Sequence, residues 1–254
     1  MITNFLINYT LLSFFICLFT LIGALVTFWI TKKYGVLDMF WGIAIPMAIV
    51  SITREYPSQM YDIVFLMVLI WGVRLSGFLL FTKILTSGVD YRYHRMVKGS
   101  PSFLMLKQIL IQASLQALIA LTAFPLLFYP TATNIGLILG VGIYSIGIIG
   151  ETIADFQLYR FKKTSSGICM TGLWRYSRHP NYFFELLVWL GISFLFIGNK
   201  LSIISFIGPV TIFIIMYYIT GPYTESCSIE RHGKAYQDYQ NDTSYFFPKL
   251  PKKS

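Results

Sequence analysis

The sequence predicts an all-α polytopic membrane protein of about seven transmembrane helices, with its N-terminus outside and its C-terminus in the cytosol. Three observations carry that expectation. Only 12% of the 254 residues are charged while 56% are hydrophobic, against about 25% charged in an ordinary soluble domain. Apolar runs close to the ~20 residues that cross a bilayer recur along the chain. Seventeen of the twenty Lys and Arg fall in every second connection, the asymmetry that marks cytosolic loops.

The runs fall at 5–31, 36–53, 61–82, 108–129, 134–156, 181–198 and 201–220. The first lacks the basic start and the small-residue cleavage site of a signal peptide, and its apolar stretch is too long for one, so it is read as a span. Lys32 and Lys33 follow it, and basic clusters follow the third, fifth and seventh runs, whereas the alternate loops hold only Arg54 and Lys200. The chain reads as one membrane domain over residues 1–254. The cytosolic connections are the longer ones, and long loops gathered on one face of a scaffold are where function concentrates. Short, even outer loops suit a bacterial inner membrane. The formal net charge of +9 is a topology signal and does not call for nucleic acid, although a basic cytosolic face attracts anionic lipid or a phosphorylated cofactor.

Cysteine and histidine supply little chemistry. Cys17, Cys169 and Cys227 lack the spacing of a disulfide framework or a zinc site, and His94, His179 and His232 stand apart, so no metal is expected. The glycine run Gly136 to Gly150 is not a dinucleotide loop, because Ser145 stands where GxGxxG needs glycine and no βαβ unit surrounds it. Gly136 and Gly140 are instead spaced for close helix packing in lipid.

Five ionisable residues lie within or at the edge of the spans: Asp38, Arg74, Glu151, Asp155 and Glu185. Such groups are costly in a bilayer and face the bundle interior or a wet cavity. With the orientation above all five fall in the cytosolic half, which predicts one polar pocket open to the cytosol. Glu151 and Asp155 are one helical turn apart, and Lys162 shares their face if the helix continues. Asn181, Glu185 and Trp189 advance in steps of four along another face. Pro180 suits a first helical position, so the N-terminus of span six points at the cytosol beside Arg175 and Arg178. That arrangement favours an anionic ligand.

The string from Gly172 to Tyr182, "GLWRYSRHPNY", followed by Glu185 and Trp189-Leu-Gly191, closely resembles the C-terminal signature of the steroid 5-alpha-reductase-like membrane proteins. "LDMFWG" at 37–42, "LIWGVRL" at 69–75, "DYRYHRM" at 90–96, "ETIADFQLYRFK" at 151–162 and "YQDYQNDTSYFFP" at 236–248 agree with it. The resemblance covers roughly residues 35 to 250 and looks closest to the bacterial-type branch. It implies seven transmembrane helices and an NADPH site on the cytosolic side, formed by about residues 145–250. It implies hydride transfer to the β-carbon of a conjugated carbonyl lipid, steroid-like or other, with a nearby acid polarising the oxygen. Carried over by motif, Asn181 and Glu185 would hold the nicotinamide end, Asp155, Arg178 and Tyr239 would line the nucleotide, and Lys162 would approach its phosphates. Arg175, Tyr176, His179 and Tyr182 are neighbours in the same signature.

The catalytic acid departs from the pattern. Where steroid-reducing members place a tyrosine assisted by a glutamate, this chain reads Trp71-Gly72-Val73-Arg74, and span two offers Asp38. Arg74, Asp38 and Tyr91 are the substitute candidates, with Tyr93 beside Tyr91. Two other classes stay open. Isoprenylcysteine and phospholipid methyltransferases carry a related "RHPxY" segment and use S-adenosylmethionine. A lipid-binding membrane protein could also keep the scaffold without chemistry. No obligate protein partner is inferred.

Overall fold

The computed structural model describes residues 2–31, 33, 35–54, 58–85 and 101–250, and every regular element among them is helical. In chain order these are α1 (Ile2–Thr31), α2 (Gly35–Met39), α3 (Trp41–Thr53), α4 (Gln59–Leu79), α5 (Pro101–Ala120), α6 (Asn134–Thr164), α7 (Pro180–Phe194), α8 (Ser202–Ser205), α9 (Ile207–Ile214), α10 (Gly221–His232) and α11 (Lys234–Asp242). A π turn prolongs α4 through Leu80–Ile84, and α5 tightens into a 3-10 stretch over Leu121–Leu127. Residues α8 to α10 form one rod, with a second π turn at Ile215–Thr220 before Pro222. Proline supplies no N–H to the helix ladder, and a local widening accommodates it.

Local chemistry explains the boundaries. Ser58 caps α4 by accepting from the Tyr61 amide at 3.1 Å, and Thr133 caps α6 by accepting from the Gly136 amide at 3.0 Å. Such caps satisfy one of the amides that a helix start leaves without an intrahelical partner. Pro180 opens α7 at the expected position.

Six helices among the described residues are long and apolar enough to cross a membrane: Ile2–Thr31, Gly35–Thr53, Gln59–Ile84, Lys107–Leu127, Asn134–Thr164 and Ser202–His232. The run expected at 181–198 behaves differently. Its helix, α7, is 15 residues long, about 22 Å at 1.5 Å per residue, against a hydrocarbon thickness of about 30 Å. The chain then leaves the helix by tight turns, Phe196 N to Ser193 O and Ile197 N to Phe194 O, and passes Gly198 at φ +90°. Hydropathy alone made it look like the others. Its apolar residues instead serve burial inside the bundle, where Leu186, Val188, Trp189 and Ile192 are covered.

The α6–α7 hairpin is the tightest contact, and glycine makes it possible. A Cβ on Gly147 would meet the Val188 amide nitrogen at 2.6 Å, and one on Gly191 would meet the Tyr144 amide nitrogen at 2.5 Å. The backbones touch, the small-residue packing expected of Gly136 and Gly140. Gly42 and Gly72 bring α3 against α4 in the same way, since a Cβ on Gly72 would lie 2.2 Å from the Gly42 carbonyl oxygen. Tyr9 donates to the Ala120 carbonyl at 3.0 Å, tying α1 to α5.

These contacts sort the helix ends onto two faces. Tyr144 on α6 donates to the Met67 carbonyl on α4 at 2.6 Å and, further along both helices, Phe78 meets Tyr159 edge-on with centroids 6.4 Å apart, so α4 and α6 run in parallel to the same face. Lys33 Nζ donates to the Ile84 carbonyl at 2.5 Å, bringing the end of α1 there too. The start of α7, α10 and α11 gather on that face as well, while Thr133 and Ile197 meet at the other.

Candidate functional site

Arg74, on α4, reaches α6. Its guanidinium forms an ion pair with Glu151 and a charge-assisted hydrogen bond with Asp155 Oδ2. Glu151 and Asp155 stand one turn apart on α6, so one planar fork engages both. From α7, Asn181 Nδ2 donates to Asp155 Oδ1 at 3.1 Å. One turn deeper, Glu185 accepts from the indole N–H of Trp71 at 3.0 and 2.9 Å and from that of Trp189 at 2.8 Å. The two indoles meet edge-on at 4.9 Å. Glu185 also lies within electrostatic reach of Arg74, Glu151 and Asp155.

Three helices thus place one guanidinium and three carboxylates in a single network. Glu151, Asp155 and Glu185 are buried, and the Arg74 side chain is 12% exposed. Two of the network's acceptor oxygens have no hydrogen-bond donor, Glu151 Oε2 and Asn181 Oδ1, while Arg74 Nη1 is held by its ion pair with Glu151 alone. Unsatisfied buried acceptors are costly, and at a functional site they mark where something binds.

The cluster contains four of the five intramembrane ionisable residues expected to converge. Asp38 lies on α2, a different helix from the three that build the network, next to Met39, whose carbonyl accepts from Ser76 Oγ of α4 at 2.9 Å. Tyr91 lies outside the described residues, as does its neighbour Tyr93. The stripe Asn181–Glu185–Trp189 does face one environment. Trp71 is buried at its tip, where it fixes Glu185. Its role was hidden in the sequence, because the tryptophan registered only as a missing tyrosine.

A second layer sits at the end of α6 and the start of α7. The Gln157 side chain accepts from the Leu173 amide at 2.9 Å, and Trp174 Nε1 donates to the Ala154 carbonyl at 2.9 Å. Gly172, at φ +60°, lets the chain pass over Gln157. Arg178 is fully engaged with the C-terminal segment. Its Nε donates to Glu225 Oε1 at 2.6 Å, and its Nη1 donates to the carbonyls of Gln240 at 2.9 Å and Thr243 at 2.5 Å. His179 Nε2 lies 3.3 Å from Glu225 Oε1, and its ring stacks on Tyr182 at 4.9 Å. Tyr239 donates to the Trp174 carbonyl at 2.5 Å, and burial pushes its phenol up, so it remains a hydroxyl donor at neutral pH.

Arg178, His179 and Tyr239 therefore clamp α10 and α11 over the mouth of the network. Arg160, Lys162, Arg175 and Tyr176 are exposed around it. Glu225 and Gln240, which complete the clamp, were missed in the sequence. The available signal was an acidic residue in the first polar turns after the last apolar run.

Beside the network, between α6, the turn Gly172–Arg175 and the first turns of α7, lies an apolar groove of about 480 Å³. Ser145, Ile149, Gly150, Ile153, Gln157 and Phe184 line it. The Phe184 ring lies directly on Gly150, next in sequence to Glu185 and facing the residue before Glu151.

Every residue of this network falls within residues 24–243, the stretch that matches the profile of a family described as "Protein of unknown function (DUF1295)". The chain belongs to this family. DUF1295 membership thus covers the helices that build the network, together with α10 and α11. The chain is also similar to the uncharacterized protein C594.04c of Schizosaccharomyces pombe, with 32% identity over 109 residues, 40% of this chain and 30% of that protein. The match thus spans less than a third of the relative's length. No solved structure matches.

Proposed function

We propose that this DUF1295 protein is an NADPH-dependent membrane reductase acting on the conjugated C=C of a steroid-like or other enone lipid. The observation that carries the reading is the meeting of Asn181 with Asp155, from two separate motifs, on the network of Arg74, Glu151 and Glu185. The association of the DUF1295 family with steroid 5-alpha-reductase-like proteins supports the reaction class.

The residues fit the nicotinamide end of the cofactor. A carboxamide offers one N–H₂ group and one carbonyl. Asp155 Oδ1 accepts from the Asn181 amide N–H₂, which leaves Asn181 Oδ1 free to accept from the carboxamide N–H₂. Glu185 is held by two indoles beside it. When bound, the dihydronicotinamide supplies a hydride, and the protein aligns the reactants and excludes water. The exposed Arg160, Lys162 and Arg175 at the mouth suit the phosphates. Arg178 and Tyr239 act at one remove, by holding α11 in place.

The positive-inside pattern orients this mouth toward the cytosol, where the cofactor is found. The apolar groove beside Phe184 suits the approach of a lipid from the bilayer.

Reconstituted protein supplied with a 4-en-3-one steroid or an open-chain enone lipid should consume NADPH with at least one of them. Asn181→Ala should lower turnover by roughly 100-fold, the cost of a misplaced reactant, while the protein stays folded. Unchanged turnover in that variant would remove Asn181 from the site.

A further inference from the structure

The oxygen atoms of the network are not equally provided for. Asp155 uses Oδ2 on Arg74 and Oδ1 on Asn181. Glu185 receives an indole N–H on each oxygen. Glu151 gives Oε1 to Arg74 and has no donor for Oε2, although that atom is buried and the residue is 5% exposed. The groups acting on it are Arg74 from α4, Glu185 from α7, and Asp155 and Tyr144 from its own helix, with Asn181 of α7 bonded to Asp155. The Tyr144 hydroxyl is committed to the Met67 carbonyl at 2.6 Å. The Trp174 indole on the neighbouring 3-10 turn is spent on the Ala154 carbonyl.

One cation therefore faces three carboxylates, and the one carboxylate oxygen among them without a donor belongs to Glu151, beside Glu185. The Glu151 and Glu185 carboxyls lie within hydrogen-bonding reach of each other, and two facing acceptors need a hydrogen between them. Excess negative charge is expensive at this depth, and a proton is the smallest group that relieves it.

From this geometry we infer that Glu151 carries a proton on Oε2 and is the acid of the site. The inference rests on the reductase reading for its use. In the reaction the substrate's β-carbon gains the hydride, and its α-carbon gains the proton released from Glu151 Oε2. The bond lost is the C=C π bond. Glu151 is left as a carboxylate paired with Arg74 and recovers a proton from water at the cytosolic mouth. This assigns the proton donor to α6 and dispenses with the tyrosine that Trp71 replaces.

Infrared spectroscopy tests the proton without any cofactor or substrate. Purified protein at neutral pH should show the carbonyl stretch of a protonated carboxylic acid, shifting downward in D₂O. Glu151→Gln should abolish this band, whereas Glu185→Gln should shift it and leave it present. If Glu151→Gln does not fold, Glu151→Asp should move the band. A wild-type spectrum without the band, or a band untouched by either Glu151 variant, would overturn the assignment. A band lost on Glu151→Gln in a protein that does not bind NADPH would refute the donor role and the reductase reading, while NADPH binding without the band would refute the donor alone.

Discussion

Arg74 is the one positive charge in the network, and Glu151 and Asp155 both depend on it. Removing one partner of a buried ion pair strands the other, at a cost of about 3–5 kcal/mol. Arg74→Met should therefore lower the thermal unfolding midpoint in detergent sharply. Arg74→Lys, which keeps the charge and loses the fork, should lower it less. Equal midpoints for Arg74→Met and wild type would mean that the carboxylates do not rely on Arg74. The sequence exposed Arg74, Glu151, Asp155, Asn181 and Glu185 because charge inside an apolar run is conspicuous and helical phase puts i and i+4 on one face. It could not separate Asp38 from them, since depth along a helix says nothing about rotation around the bundle. Arg178 was misleading for a related reason. A cation beside a helix N-terminus looks the same in sequence whether it awaits an anion or already holds Glu225.

Among the elements, α7 and the pair α10–α11 carry the site. The sequence located the start of α7 through Pro180, but its apolar run concealed that the helix stops at Phe194, because hydropathy does not distinguish lipid from protein surroundings. The fold of the C-terminal segment was not legible at all. It depends on contacts across long stretches of chain, such as Ser177 Oγ to the Phe246 carbonyl at 2.8 Å and Lys249 N to the Tyr176 carbonyl at 2.9 Å. Arg178 is the centre of that docking. Hydrogen bonds to a charged group are worth about 1.5–3 kcal/mol each. Arg178→Ala should accordingly speed amide hydrogen exchange in residues 234–247 by at least roughly tenfold, with α1 to α6 unaffected. Unchanged exchange in the segment would show that its aromatic contacts, such as Phe213 with Phe246, suffice to hold it.

At the scale of the molecule, the chain is a helical membrane bundle whose helix ends divide between two faces, with its polar network set below one of them. The composition, the spacing of apolar runs and the alternation of basic loops made the fold class readable. Glycine positions such as Gly147 and Gly191 then fix which helices touch. The central claim is that the network at the start of α7 receives a nicotinamide cofactor. The most direct test is a binding titration of purified protein with NADPH and, in parallel, S-adenosylmethionine, followed by tryptophan fluorescence. Trp71 and Trp189 bond Glu185 and Trp174 lies under the clamp, so a ligand in the site should change their emission. Saturable change with NADPH and none with S-adenosylmethionine is the predicted result. Selective binding of S-adenosylmethionine would make the site a methyl-donor pocket, and a response to neither would leave a membrane protein without cofactor chemistry; both contradict the account.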